Sequence, residues 1–318
     1  MAVCPAATMS STGIHTKKTM VCAMVFFACL LVVSLPAYAG LELGVSVGAE
    51  YDSNILPSTD ITVSEGDWST VYGAYLGASG EFPITKSSQW NKPLAWQARY
   101  DISDTRWTQA SQYNSVLQSG LFRLSHNGAQ VNSDVSMLIA NASVDGQDFL
   151  SLYRISPGAG ALLSPHWYMR GQIDLAQKTF AQFSARDSDQ LGVKGTLCGL
   201  LNGTQHYVSL QLGMRQENAA DDQYGYSQWQ GRLRWKYRLN DIRFNLASTY
   251  EQRNYDALWP TISAIREDRR LRFSAGVEVT LPYGFSWQTS AGRDIYQSNY
   301  PSADYQQYRL ESTLHWDY

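Results

Sequence analysis

Between Gln228 and Leu239 the chain sets Arg232, Arg234, Lys236 and Arg238 at every second position, with Leu233, Trp235, Tyr237 and Leu239 between or beside them. Side chains alternate between the two faces of a β-strand, whereas a helix would spread these residues around its circumference. The stretch is therefore a strand, wet on one face and apolar on the other. Gln228 and Gln230 lengthen the polar line and Trp229 the apolar one. A soluble sandwich would have to bury such an aromatic and aliphatic face under a second sheet. A membrane would bury it in lipid.

The same alternation recurs about every 20 residues, the spacing expected of ~10-residue spanning strands joined by turns and loops. Strands are expected at 41–51, 68–80, 94–102, 113–125, 130–141, 149–163, 167–178, 190–201, 206–216, 228–239, 242–253, 270–281, 283–293 and 307–318. That is fourteen, an even number. Their connections alternate between short, turn-like joints such as Leu239-Asn240-Asp241 and Leu281-Pro282-Tyr283-Gly284 and longer polar ones such as 254–268. Short periplasmic turns and longer surface loops give that asymmetry. The expectation is an all-β fold: a transmembrane, antiparallel, up-and-down outer-membrane barrel of about 14 strands. Trp90, Trp167, Tyr168, Tyr237, Trp316 and Tyr318 are assigned to an inner aromatic girdle, and Trp68, Tyr226 and Trp229 to an outer one.

The last segment closes the argument. Tyr308, Leu310, Ser312, Leu314, Trp316 and Tyr318 share one face of 307–318, and Arg309, Glu311, Thr313, His315 and Asp317 share the other. For the sheet to lose its edges this strand must pair, antiparallel, with 41–51. Leu310, Leu314, Trp316 and Tyr318 are the expected signal to the barrel assembly machinery, with both termini on the periplasmic side.

The compartment is read from the start of the chain. Lys17 and Lys18 precede an apolar run from Met20 to Leu35, then Pro36 and Ala37-Tyr38-Ala39. This is the order of a cleavable export signal, and the run is shorter than the ~20 residues of a spanning helix. Residues 1–39 are thus expected to be removed, leaving 40–318 as the barrel, with translation starting at Met1 or Met9. Cleavage removes two lysines and no acid, taking the formal charge from −3 to −5. Nucleic acid is not the expected partner. It also removes Cys4, Cys22 and Cys29, leaving Cys198 without a disulfide partner.

Catalytic and metal-binding patterns are weak. Ser125-His126 is assigned to a short turn, and His206 and Ser209 fall on opposite faces of one strand. His126, His166, His206 and His315 lack ligand spacing, so no metal, cofactor or enzyme is expected. The polar face is more informative. Arg232, Arg234, Lys236 and Arg238 form a basic ladder facing the lumen, with Arg215, Arg243, Arg253, Arg270, Arg272, Arg293 and Arg309 nearby in sequence or on neighbouring strands. Glu217, Glu251, Glu278, Asp294, Glu311 and Asp317 are the expected acidic partners. The two readings, an internal salt-bridge network and a path for an anion, are compatible.

Three short pieces carry a likeness: Tyr51-Asp52-Ser53-Asn54-Ile55; Arg266-Glu267-Asp268-Arg269-Arg270-Leu271; and Tyr296-Gln297-Ser298-Asn299 followed by Tyr305 and Arg309. Together they resemble the C-terminal barrel of the surface lipoprotein assembly modifier family. The resemblance implies fourteen strands and help for lipoproteins reaching the cell surface. Members usually carry a tetratricopeptide region ahead of the barrel, and here the first strand is expected close behind the cleavage site. The function expected is translocation or surface assembly of an exported lipoprotein. The alternative is a porin-like channel for small solutes, anions among them.

Overall fold

In a computed structural model describing residues 40–55, 66–82 and 93–318, the alternating segments form one closed sheet. Its strands are β1 (Gly40–Asp52), β2 (Asp67–Phe82), β3 (Leu94–Trp107), β4 (Ser115–Asn127), β5 (Val131–Val144), β6 (Gln147–Ser164) and β7 (Trp167–Phe180). Then follow β8 (Ser188–Asn202), β9 (His206–Ala219), β10 (Tyr226–Leu239), β11 (Ile242–Trp259), β12 (Ala264–Thr280), β13 (Phe285–Ser298) and β14 (Tyr305–Asp317). All fourteen follow chain order around the ring, and β1 and β14 meet to close it. Closure gives every edge strand a partner, which hydrocarbon demands because it offers backbone groups no water.

The seam runs as the sequence requires. Gly44 lies opposite Asp317 and Asp52 opposite Arg309. Tyr318 N donates to Leu43 O at 2.8 Å, so backbone pairing continues to the last residue. At the other end of the seam Tyr308 N donates to Ser53 Oγ at 2.8 Å, and Gln307 Nε2 donates to Asp52.

Burial is inverted relative to a soluble protein. Among the described residues, the buried apolar side chains are Ala78, Trp96, Tyr226 and Trp259, while three times as many buried residues are polar or charged. Leu212, Val193, Leu233 and Leu175 are each half exposed or more, all on the outer face. That distribution stabilises a barrel only if lipid covers the outside.

The structure extends several strands beyond the apolar alternation. β11 reaches Trp259 and β12 begins at Ala264, so most of the stretch expected as the 254–268 loop is a tall hairpin. Beyond the membrane both faces meet water, so polarity no longer alternates and the sequence signal ends before the strand does. Tyr113 and Tyr283, expected as strand starts, lie in single 3₁₀ turns, and Tyr283 has φ 64°. Ser125 and His126 end β4 rather than forming a turn. The shortest distal joint is a two-residue hairpin, Asp145 (φ 50°) and Gly146 (φ 71°), with the left-handed geometry that matches strand twist. Residues 1–39, including the expected export signal, and Trp90 lie outside the described residues.

Candidate functional site

Register decides what each lumen side chain faces. Arg232 lies between Gln211 on β9 and Thr249 on β11. Arg234 lies between Ser209 and Ala247, and Lys236 between Tyr207 and Asn245. Arg238 lies opposite Arg243, whose charge is taken by Glu278 at 2.6 Å. Neutral neighbours thus flank Arg232, Arg234 and Lys236 on both sides, and the rungs repeat every ~6.6 Å along the strand. No ion pair joins Arg232, Arg234, Lys236 or Arg238 to a carboxylate among the described residues. Arg232 Nε is shielded from solvent and has no hydrogen-bond partner there. The ladder occupies the half of β10 nearest the end where β1 starts and β14 stops.

Four of the acidic residues expected to neutralise the ladder, Glu217, Glu251, Glu278 and Glu311, have their ion pairs and hydrogen bonds elsewhere. Glu217 is buried beside Lys178 Nζ at 2.7 Å and also accepts from Ser188 Oγ and Tyr226 Oη. Glu278 binds Arg243, Glu251 lies 3.7 Å from Arg253, and Glu311 accepts from Thr313. Glu311 also faces Glu50 directly across the seam. Among the expected basic neighbours, Arg293 turns outward, over the Tyr308 ring and onto Gln306 at 2.7 Å. Tyr168 and Tyr226, assigned above to the girdles, face the lumen instead: Tyr226 binds Glu217 and Tyr168 pairs with Cys198 on the inward face. Trp229 and Trp167 do face outward, as do Leu310, Leu314 and Tyr318.

The dense charge cluster lies on β12–β14. Asp294 is 2% exposed and accepts from Arg270 Nη2 at 2.5 Å, Arg272 Nε at 3.0 Å and Arg309 Nη2 at 2.5 Å. A carboxylate is buried here because three guanidiniums replace its lost water. On the opposite side, Asp134 collects Arg170 at 2.5 Å and Arg123 at 3.3 Å, while Asp174 holds Lys194 at 2.9 Å and Ser156 Oγ at 2.6 Å.

The three resemblance motifs converge at the distal rim. Arg266 binds Asp268 through both Nε (2.9 Å) and Nη2 (2.8 Å), and its guanidinium lies about 5 Å from the rings of Tyr255, Trp259 and Tyr300. Asp268 also accepts from Ser298 Oγ at 2.7 Å, and Asn299 bridges to the β12 entry through Ile265 O and Glu267 N. Tyr296 and Tyr305 stack at 4.3 Å. Asp52 caps Asn54 N at 2.9 Å, and Tyr51 packs on Trp68 at 5.2 Å. Aromatic boxing of an Arg–Asp pair fixes the tall β11–β12 hairpin to its neighbours. Sequence reasoning found these residues as motifs but could not see that they meet. His206 accepts from Trp235 Nε1 at 3.0 Å on the outside, and Ser209 faces the lumen, so the structure does not bring them together.

Comparison with known proteins places the chain. The fold resembles the outer-membrane channel DcaP of Acinetobacter baumannii (11% identity, TM-score 0.52, covering 88% of this chain and 97% of that one). It also resembles an anion-selective porin from Comamonas acidovorans (8% identity, TM-score 0.51, 88% and 99% covered). At such identity the likeness is one of fold, that of an outer-membrane β-barrel. No curated protein matches the sequence. The model of the surface lipoprotein assembly modifier family matches residues 43–279, from β1 into β12. This chain, an outer-membrane β-barrel, therefore belongs to the surface lipoprotein assembly modifier family.

Proposed function

We propose that the protein assists translocation or surface assembly of an exported lipoprotein, with the family match over residues 43–279 as the observation that carries the reading. On this proposal residues 1–39 are cleaved on export, and both termini of the barrel lie in the periplasm. The barrel assembly machinery recognises the outward line Leu310, Leu314, Trp316 and Tyr318. A fixed distal rim built from Arg266, Asp268 and Tyr300 supports this role by holding a rigid surface toward the outside, where a client would emerge. A second reading has its own support: the uncompensated ladder of Arg232, Arg234, Lys236 and Arg238 suits passage of small anionic solutes.

Deleting the gene and measuring protease-accessible lipoproteins on intact cells tests the first reading. Loss of a lipoprotein from the surface, restored by the wild-type gene, is expected. An unchanged surface together with steady, anion-preferring conductance of the purified barrel in planar bilayers would replace the first reading with the second.

A further inference from the structure

At the terminal end of the lumen the ladder borders a cavity of about 560 Å³. Its wall is apolar where Leu162, Leu200, Tyr168 and Tyr207 meet, and cationic where Lys236 and Arg238 enter. The volume lies within the roughly 300–1,000 Å³ of small-molecule sites. Arg238 stands directly opposite Arg243, an arrangement that costs stability unless an anion lies nearby. Glu278 forms its ion pair with Arg243, so Arg238 has no ion-pair partner of its own among the described residues. On the facing side of the ring, β14, β1 and β2 bring Asp317, Glu42 and Glu81 to the same end, and no ion pair reaches these three among the described residues. An anion entering this end is therefore repelled from one wall and drawn to the other.

We propose that this cavity binds a small organic anion with an apolar body, of the class of an aromatic carboxylate. Lys236 and Arg238 take the carboxylate, and Leu162, Leu200 and the two tyrosines take the ring. The proposal deepens the solute-passage reading and rests on it for the ligand's route. Cys198 lines the same cavity and supplies an internal reporter.

The test is calorimetric titration of the detergent-purified barrel with sodium benzoate, paired with the rate at which a maleimide labels Cys198. Saturable binding is expected, with slowed labelling of Cys198 at saturation and affinity about ten-fold weaker in Lys236→Gln/Arg238→Gln. Acetate, lacking the ring, should bind at least about five-fold more weakly than benzoate. Absence of saturable benzoate binding, or equal affinity in the double variant, overturns the site; equal affinity for acetate and benzoate overturns the apolar half of it. If the double variant does not fold, benzoate protection of wild-type Cys198 decides alone. Bilayer conductance is measured separately. A silent bilayer with benzoate still bound removes the solute-passage reading and leaves the site, whereas conductance without binding removes the site and leaves the reading.

Discussion

Two walls of one lumen carry similar arginine content and opposite electrostatic arrangements. On β12–β14, Arg270, Arg272 and Arg309 converge on a single buried carboxylate, Asp294. On β10, Arg232, Arg234, Lys236 and Arg238 have Gln, Ser, Tyr, Thr, Ala and Asn as cross-strand neighbours, and only Arg238 has a charged one, Arg243. Composition does not separate the walls; register does. In β13, Asp294 is directly opposite Arg272, whereas the acids nearest the ladder lie outside its neutral cross-strand set. The first wall is a structural clamp. The second keeps its charge available.

That contrast breaks first at Asp294. Asp294→Asn strands three arginines around a group with no charge and should cost about 3 kcal/mol. A urea midpoint followed by heat-modifiable gel migration would show it, and an unshifted midpoint would mean that the clamp contributes no stability. Glu217→Gln should cost less, about 2 kcal/mol, because the amide still accepts from Tyr226 or Ser188 while Lys178 loses its counterion. The ladder should behave in the opposite sense. Arg234→Gln/Arg238→Gln removes mutual repulsion and should leave stability within about 0.5 kcal/mol of wild type or slightly above it. A loss as large as that at Asp294 would mean that hidden partners neutralise β10. The smallest effect concerns salt. Raising ionic strength from 0.1 to 1 M shortens the screening length from about 10 to about 3 Å. On the solute-passage reading, the anion preference of conductance should fall steeply, while the Asp294→Asn stability difference should change by only a few tenths of a kcal/mol, roughly the size of an exposed pair.

Much of this is legible in the sequence alone. The period-two pattern located all fourteen strands, and the apolar line of Leu310, Leu314 and Tyr318 gave the outward face of the closing one. The ladder was legible because four cations at every second position declare a common face without knowledge of neighbours. That Asp294 joins an internal network with Arg270, Arg272 and Arg309 was legible, but which acid meets which base elsewhere was not. Pairing across strands depends on register, and a slip of one residue exchanges every partner. Hence Glu217 was set against the ladder although it binds Lys178, and Arg293 was grouped with lumen residues although its parity in β13 sends it outward. Tyr168 and Tyr226 were read as girdle residues because aromatic type near a strand end suggests an interface. Their parity, the same as that of Arg170 and Gln228, was the signal that places them inside. The true tops of β11 and β12 were lost because, above the lipid, no polarity difference marks the two faces.

Charge-selective modification of Cys198 tests the uncompensated β10 wall most directly. Its thiol faces the lumen beside Ser209, which separates it from Arg234 at the same level of the sheet. Anionic and cationic methanethiosulfonates are reacted with the folded barrel in detergent, each rate being divided by the reagent's rate with free cysteine. The uncompensated ladder predicts that the anionic reagent is favoured, and that Arg234→Gln/Arg238→Gln abolishes the preference. A preference for the cationic reagent, or one that survives the double substitution, would contradict it.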